Sequence, residues 1–291
     1  MEFVIYIALT LIGACLGSFA GATVWRLRAR QLVEDKKAGE KVDTAEFKKL
    51  EPLTKAKVTT DRSRCLHCSY ELKWYDLIPI VSWLTLRGKC RNCRKPIGYF
   101  ELLIELGVAA FFVVSYVFWP FELTSTLEIA RFVLWLLSGV GLAILFAYDT
   151  KWYLLPDKVT FTVVAFGLIT VAITAIQSGN PVATLLSALG AVGILSGLYL
   201  FLYLISKGQW VGFGDIKLGL ALALLLVDWQ LALVALFLAN FIGCLIVIPL
   251  MATGKLKRTS RVPFGPLLIA GAVVAQFIGV AVLSLYSGVL I

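Results

Sequence analysis

Residues 131–149 read RFVLWLLSGVGLAILFAYD, an apolar run that ends on an aspartate. A helix needs about 20 apolar residues to cross a bilayer, so residues 131–148 predict a transmembrane helix. Hydrophobic residues make up 59% of the chain and charged residues 15%, far from the composition of a soluble domain. The sequence therefore predicts an all-α polytopic membrane protein with about eight transmembrane helices. The predicted spans lie near residues 4–25, 101–119, 131–148, 159–178, 183–206, 216–227, 230–252 and 264–290.

Lysine and arginine gather in alternate loops of this pattern. Of the 27 Lys and Arg residues, 18 lie between Arg26 and Lys95, and eight more lie in the loops 149–158, 207–217 and 253–262. Because basic loops stay on the cytoplasmic side of a membrane, these loops are predicted to be cytoplasmic and both termini to lie outside. The net charge of +9 follows from this bias and from attraction to anionic lipid headgroups, so it requires no nucleic-acid partner.

The spans and loops divide the chain into three predicted parts. These are a first transmembrane helix in residues 1–25, a cytoplasmic loop in 26–97 and a transmembrane core in 98–291. The first span is too long and too Gly-rich for a cleaved signal peptide. The first half of the loop, Arg28–Arg64, is charged and holds a single aromatic residue, Phe47. This composition predicts either a helix of modest stability or a flexible arm.

The second half of the loop carries two Cys-x-x-Cys motifs that are separated by 21 residues. Their cysteines are Cys65, Cys68, Cys90 and Cys93. This pattern resembles a zinc-ribbon-like site of four thiolates, and such a metal orders a small loop that has no large core. Disulfides or unpaired thiols are the alternative, which a cytoplasmic location disfavours because thiols stay reduced there. His67, the single histidine of the chain, is expected to have a structural or incidental role.

Between the two motifs lies an aromatic and apolar segment. It covers residues 72–89 and is interrupted by Pro79. Because Trp and Tyr concentrate at membrane interfaces, the segment is predicted to lie on the membrane surface or against the helix bundle. A hydrophobic lid over the zinc site is an interpretation compatible with both.

Two aspartates stand at the ends of predicted spans. Asp149 ends the third span and Asp215 begins the sixth, both on the predicted cytoplasmic side. Two close carboxylates can share one proton. The ionised group then takes a proton from water and the protonated group polarises a carbonyl, which is the chemistry of peptide hydrolysis. A helix cap is the alternative role for Asp215.

Four neighbouring residues are candidates for substrate-binding or supporting roles. Gly212 and Gly214 flank Phe213 and are expected to allow unusual backbone angles and the close approach of a substrate strand. Lys217 can pair with either acid or anchor its helix at the interface, and Asp157 either caps the fourth helix or contributes to the site. The span after the glycines rises only about 18 Å. It therefore draws the preceding loop below the membrane surface, where such backbone is tolerated beside a water-filled cavity.

Taken in order, the motifs of this chain resemble those of the bacterial prepilin peptidases, a family of Gly-x-Gly-Asp aspartyl proteases. The resemblance extends over most of the chain. The matching segments are Gly17–Arg26 with Gly-Ser-Phe, the cysteine loop Cys65–Cys93 with Trp74–Pro79 and Ser82-Trp83, Asp149 with Leu155-Pro156-Asp157, the Gly-Phe-Gly-Asp of Gly212–Asp215, and Pro263-Phe264-Gly265-Pro266.

The resemblance implies an intramembrane aspartyl peptidase of the bacterial cytoplasmic (inner) membrane, with its active site facing the cytoplasm. The implied substrates are prepilins or pseudopilins of type IV pilus, type II secretion or competence systems, cut after a glycine behind a basic leader. Asp149 and Asp215 occupy the positions of the catalytic pair. Zinc in the cysteine loop is expected, and S-adenosyl-L-methionine is the implied methyl donor for the new N-terminus.

Three features depart from the family pattern. Gly21 stands where asparagine is common, and the polar arm at 31–60 is longer than expected. Glu101-Leu102 replaces a Tyr-Pro pair, while Glu105 keeps the place of a glutamate that follows it. Glu105 is therefore a candidate for the methylation side or for binding a substrate amine.

Two other functions compete with the peptidase interpretation. A proton-coupled transporter would also bury paired acids, but it predicts acids near the bilayer midplane and two pseudo-symmetric halves. A membrane adaptor that recruits a partner through its cysteine loop leaves the Gly-flanked acid without a role.

Overall fold

The computed structural model describes residues 2–54, 62–257 and 262–289. Regular structure in these ranges is helical, and the two β-bridges are isolated pairs in the cysteine loop. The α-helices are α1 (Glu2–Lys37), α2 (Thr44–Leu50), α3 (Val81–Thr85), α4 (Phe100–Val117), α5 (Thr126–Trp152), α6 (Asp157–Gln177), α7 (Pro181–Val192), α8 (Leu198–Ser206), α9 (Phe213–Leu226), α10 (Trp229–Ala252) and α11 (Gly265–Val289). Short 3₁₀ turns occupy Glu51–Leu53 and Trp74–Asp76.

Seven helical segments among the described residues are long and apolar enough to cross a membrane. One of them, Pro181–Ser206, joins α7 to α8 through a π-helical turn at Gly193–Gly197. The remaining predicted span, residues 216–227, corresponds to α9, an apolar helix of 14 residues that is too short to be counted among these seven. The prediction of an all-α polytopic membrane protein is confirmed, and the sixth predicted span is the short one.

The chain divides into two compact units, Met1–Val114 and Ser115–Ile291. In the first unit, α1 continues through the expected boundary at residue 25 and ends at Lys37. Gly17 of α1 packs directly on α4, because a Cβ atom there would lie 2.7 Å from the Cα atom of Glu105. The absence of a side chain therefore sets the distance between these two helices.

The polar arm folds onto the extension of α1. Leu50 and Leu53 pack with Ala29 and Leu32 in a buried cluster that Trp25, Val42, Phe47 and Leu66 border. Arg28 donates two hydrogen bonds to Glu46, at 2.6 and 3.1 Å. The described part of the arm is thus a packed helix, the first of the two structures expected for it. Residues 55–61, which complete the arm, lie outside the described residues.

The second unit places α9 deep among its neighbours. Gly219 faces the carbonyl of Leu195 in the π-helical turn and leaves no room for a Cβ atom. Ser196 in the same turn donates a hydrogen bond of 3.0 Å to the carbonyl of Ile216. Such turns widen a helix locally. Because α9 has no side chain at Gly219, it can approach the π-helical turn closely.

The short α9 ends abruptly at its far end. Val227 has a φ of 62° and its N–H bonds to Ala223, which closes the helix. Asp228 then caps α10 by accepting hydrogen bonds from the N–H groups of Gln230 and Leu231, at 2.7 and 3.1 Å. Because both ends of α9 are fixed, its first turn is held where the candidate acid Asp215 lies.

Candidate active site and cysteine cluster

Asp149 lies in the last turn of α5 and is 5% exposed. The helix ends three residues later, where Tyr153 adopts a φ of 56° and donates its N–H to the carbonyl of Asp149. The carboxylate itself accepts a hydrogen bond of 3.0 Å from the backbone N–H of Gly265. A buried carboxylate needs such a donor to offset its lost hydration.

Gly265 is a functional candidate that the sequence analysis did not single out. It is the first residue of α11, and a Cβ atom there would lie 2.8 Å from Oδ2 of Asp149. The ring of the preceding Phe264 packs edge-on against Tyr199 at 5.4 Å, which fixes the approach of the chain. The signal was present in the sequence as a glycine between two prolines, Pro263-Phe264-Gly265-Pro266, immediately before an apolar run.

Asp215 lies in the first turn of α9 and is partly buried. Its carboxyl group is hydrogen-bonded to the backbone of Gly212 and interacts electrostatically with Asp149. The two predicted acids therefore lie close enough for their charges to interact, although they are far apart in sequence. Gly212 is the residue at the N-cap, so Asp215 is an acid of the first turn that also supports the start of its helix.

The two glycines before Asp215 do not adopt the unusual backbone angles that were expected. Gly212 has a φ of −76° and a ψ of 147°, which any residue can adopt, and Gly214 is already part of α9. Their contribution is space: a Cβ atom on Gly214 would lie 3.2 Å from the side chain of Leu155. The expectation of special angles was wrong because α9 begins one residue before Gly214.

Asp157 and Lys217 form an ion pair with each other. Asp157 is the first residue of α6 and Lys217 lies one turn into α9, so the pair links the starts of these two helices. Pro156 stands at the N-cap of α6. Lys217 also lies 5.3 Å from the ring of Phe213, at the exposed edge of the site.

The first unit holds the cysteine cluster. The Sγ atoms of Cys65, Cys68, Cys90 and Cys93 all lie within 4.8 Å of one another. Cys65 and Cys93 are 3.9 Å apart, as are Cys68 and Cys90. All four are free thiols, so the structure offers no support for the disulfide alternative.

The two motifs fold into matching turns. The N–H of Ser69 bonds to the carbonyl of Cys65, and the N–H of Arg94 bonds to that of Cys90, at 2.9 and 3.0 Å. Ser69 and Arg94 have φ angles of 57° and 59°. The two motifs therefore form equivalent turns, and their four thiols converge.

The cluster fits a divalent metal. With a Zn–S distance of about 2.3 Å, tetrahedral ligands lie about 3.8 Å apart, close to the separations of 3.9 Å found here. Burial raises the pKa of Cys65 to about 12, whereas hydrogen bonds from the Tyr70 backbone and from Asn92 lower the pKa of Cys68 to about 6. His67 is exposed beside the cluster, and its N–H bonds to the Cys65 sulfur at 3.4 Å.

Glu105 is buried in the first unit and faces the cysteine loop. Its Oε2 atom accepts a hydrogen bond of 2.8 Å from the backbone N–H of Ile80, and its carboxyl group is also hydrogen-bonded to Ser18. One turn earlier on α4, Glu101 accepts a hydrogen bond of 2.9 Å from the indole of Trp25. Both carboxylates thus lie on the face of α4 that packs against α1.

Comparison with known proteins identifies the family of this chain, which contains both the acid pair and the four cysteines. The model of the type IV leader peptidase family matches residues 135–248, and that of the bacterial peptidase A24 N-terminal domain matches residues 11–119. The chain is 31% identical over 279 residues to the type 4 prepilin-like proteins leader peptide-processing enzyme of Escherichia coli O78:H11, with 92% of each chain covered. The chain belongs to the type IV leader peptidase family.

Two other relatives agree with this membership. Prepilin leader peptidase/N-methyltransferase from Legionella pneumophila is 27% identical over 97% of this chain and 94% of the relative. The protein of the same name from Pseudomonas aeruginosa is 29% identical over 90% of this chain and 86% of the relative. No solved structure matches this chain.

The two matched regions of this leader peptidase each contain one cluster. The region 11–119 includes the four cysteines and Glu105, and the region 135–248 includes both Asp149 and Asp215. Gly265 lies beyond the second region, although its N–H bonds to Asp149. A contact in three dimensions therefore extends the candidate active site to the last helix.

Proposed function

We propose that this protein is an intramembrane aspartyl peptidase that cleaves the leader of type IV prepilins or pseudopilins after a glycine. The family membership and the names of the relatives support this function. The observation that carries it is the electrostatic interaction between Asp149 and Asp215, together with the hydrogen bond that the N–H of Gly265 donates to Asp149. Neither a transporter nor an adaptor would need this arrangement of acids in a member of a peptidase family.

The acid pair supplies both halves of a general acid–base mechanism. The ionised carboxylate accepts a proton from water while the water oxygen attacks the scissile carbonyl carbon. The protonated carboxyl donates a hydrogen bond to the carbonyl oxygen. When the carbon–nitrogen bond breaks, the departing amine takes up the proton that the other carboxylate received from water. Because the pair is coupled, it titrates as a unit. The N–H of Gly265 fixes the position of Asp149 throughout.

The active site is proposed to face the cytoplasm. Lys151, Lys158, Lys207 and Lys217 lie in or within about one turn of the loops that follow α5 and precede α9. Basic residues at such positions mark the cytoplasmic side. Phe213 and Trp210, next to Asp215, are exposed large aromatic side chains of the kind found at a membrane interface. A pilin helix behind a basic leader would meet the two acids at this boundary.

Methylation of the new N-terminus is proposed as the second activity, with S-adenosyl-L-methionine as donor. The relatives' names support it. Oε2 of Glu101 is buried and has no hydrogen-bond partner among the described residues, and Glu105 lies one turn further on α4. These carboxylates fit a cationic group and would hold either the methyl donor or the amine, while the donor supplies the methyl group.

The peptidase is tested by cleavage of a prepilin-like peptide with purified protein in detergent. Wild type is expected to cut after the leader glycine, and Asp149→Asn or Asp215→Asn to lose about 10²–10⁴-fold in rate. Asp157→Asn is the matched control, since its carboxylate pairs with Lys217 at an exposed edge, and it should retain most of the activity. Undiminished cleavage by both amide variants would contradict the proposal.

The four cysteines are proposed to hold zinc. Metal analysis of the purified full-length protein should find about one zinc per chain, the ratio expected for a four-thiolate site. Cys68→Ser should lower that content, and Cys244→Ser, which changes a free cysteine in α10, should leave it unchanged. A metal-free wild-type preparation would refute the zinc assignment and leave the peptidase proposal intact.

A further inference from the structure

The segment between the two cysteine motifs exposes a row of large apolar side chains. Trp74, Val81 and Leu84 are 77%, 52% and 58% exposed, and Leu77 and Ile78 between them are exposed as well. They come from the 3₁₀ turn at Trp74–Asp76, the residues that follow it, and α3. We call this row, Trp74 to Leu84, the apolar ridge.

The ridge is held rigidly by the rest of the cysteine loop. Asp76 is buried and accepts a hydrogen bond of 2.7 Å from Arg91. Trp83 turns inward, where its indole donates to the carbonyl of Gly98 at 2.8 Å and its ring packs against Tyr99. These contacts hold the backbone on both sides of the ridge, while the side chains of the ridge stay exposed.

A hydrogen bond fixes the ridge at the depth of a transmembrane helix. The N–H of Ile80 bonds to Glu105, which lies five residues inside α4, or about 7.5 Å from its start. Gly17 of α1 packs on Glu105, and Gly17 precedes the first basic residue, Arg26, by nine residues or about 13 Å. The backbone at Ile80 is therefore hydrogen-bonded at a level of α4 that faces α1 well before its first basic residue, Arg26.

The backbone at this point is unusual. Ile80 has a φ of 63° and a ψ of −51°, which a β-branched residue rarely adopts. Such a conformation persists where the surroundings enforce it. An N–H without a partner would be costly in a membrane interface, and the buried carboxylate of Glu105 supplies that partner.

We propose that the apolar ridge inserts into the bilayer interface beside α1 and α4, where it contacts lipid acyl chains and anionic headgroups. Lys73, Arg87 and Lys89 are exposed at the ends of the ridge. Positive charge around an apolar row favours anionic lipid and repels a basic peptide leader. The proposal depends on the membrane location of α1 and α4 and does not depend on peptidase activity.

The occupant is identified by photo-crosslinking in nanodiscs of phosphatidylethanolamine and phosphatidylglycerol. The full-length protein carries p-benzoylphenylalanine at Val81, at Leu84 or, as control, at Lys41, an exposed residue between α1 and α2. Adducts are identified by mass spectrometry, with and without a prepilin-like peptide. Zinc content and thermal unfolding show whether each variant is folded.

Lipid adducts are expected at positions 81 and 84 in at least about tenfold excess over position 41, with or without peptide, because of these three positions only the two on the ridge would reach acyl chains. Replacing phosphatidylglycerol with phosphatidylcholine should lower the yield at position 84 by about twofold, because the headgroup attraction is lost. Equal yields at all three positions would overturn the proposal. Transfer of the adduct from lipid to peptide would also overturn it, since the ridge would then be a substrate surface.

Discussion

Each end of α5 carries a buried acid, and the groups around the two acids differ. Glu128, in the first turn, accepts hydrogen bonds from Trp119 at 3.1 Å, from Arg131 at 3.4 Å and from Gln177 at 3.4 Å. Asp149, 21 residues and about 31 Å further along the helix, accepts one backbone N–H and faces the charge of Asp215. One acid is neutralised by its neighbours, and the other is placed beside a second acid.

This difference separates a structural charge from a reactive one. The guanidinium of Arg131 lies 3.9 Å from the centre of the Phe121 ring and pairs with Glu128, so both charges are compensated where they are buried. A compensated pair contributes to one specific packing. At Asp149 the compensation is incomplete, and a carboxyl group in that state is free to exchange a proton with a substrate.

The largest expected effects come from neutralising each of the two acids in turn. Asp149→Asn should reduce leader cleavage by about 10³-fold while the protein unfolds at an unchanged or higher temperature, because a repulsive charge is removed. Glu128→Gln should keep most of the activity but lose about 3–5 kcal/mol of stability, since Arg131 is then buried without a counter-charge. Cleavage assays and thermal unfolding of both variants in detergent measure this contrast.

A double substitution tests whether Glu128 and Arg131 compensate each other's charge. Glu128→Gln combined with Arg131→Met removes both charges and should recover at least half of the lost stability. If the double variant is as unstable as the single one, the pair is not what compensates the buried charge. In that case the contrast between the two ends of α5 fails.

The next effect concerns the single donor to Asp149. Gly265→Ala places a methyl group against the carboxylate, since a Cβ atom would lie 2.8 Å from Oδ2. Cleavage should fall by about 10–100-fold, because a displaced catalytic group loses its alignment. Gly193→Ala is the matched control, with no atom within 4 Å of the added Cβ, and it should remain active. Equal activities in the two variants would show that Gly265 has no positioning role.

A smaller effect is expected at Gly214. A Cβ atom there would press on Leu155 at 3.2 Å, so Gly214→Ala should shift the first turn of α9 and lower cleavage by about tenfold. Adding Leu155→Ala removes two of the three nearest atoms, Cδ1 and Cγ, and should restore most of the rate. The rescue distinguishes crowding from a need for glycine at the bound substrate strand, which the second change would not satisfy.

The smallest effect belongs to the ion pair at the edge of the site. Lys217 and Asp157 are partly exposed, and such pairs contribute about 0–1 kcal/mol. Lys217→Met should therefore change stability by no more than about 1 kcal/mol and cleavage by less than about threefold. A loss of cleavage as large as that of Asp149→Asn would instead show that Lys217 takes part in the reaction and is not only a structural charge.

Local patterns in the sequence were sufficient for much of this protein. The apolar runs predicted the spans, and the spacing of the cysteines predicted that four thiols would converge. The two aspartates stood out because charge is rare in such a chain. These features depend on composition and on residues close together in the sequence, so they are visible without a fold.

The tertiary structure decided which groups touch the acids. The N–H of Gly265 reaches Asp149 across 116 residues, and the carboxylate of Glu105 reaches Ile80 from another element. Glu128 was not singled out from the sequence, yet it is the centre of a buried cluster. Contacts of this kind follow from how whole helices pack, where each helix face has many possible partners. Their identity is fixed only when side-chain volume and glycine gaps are matched across the bundle.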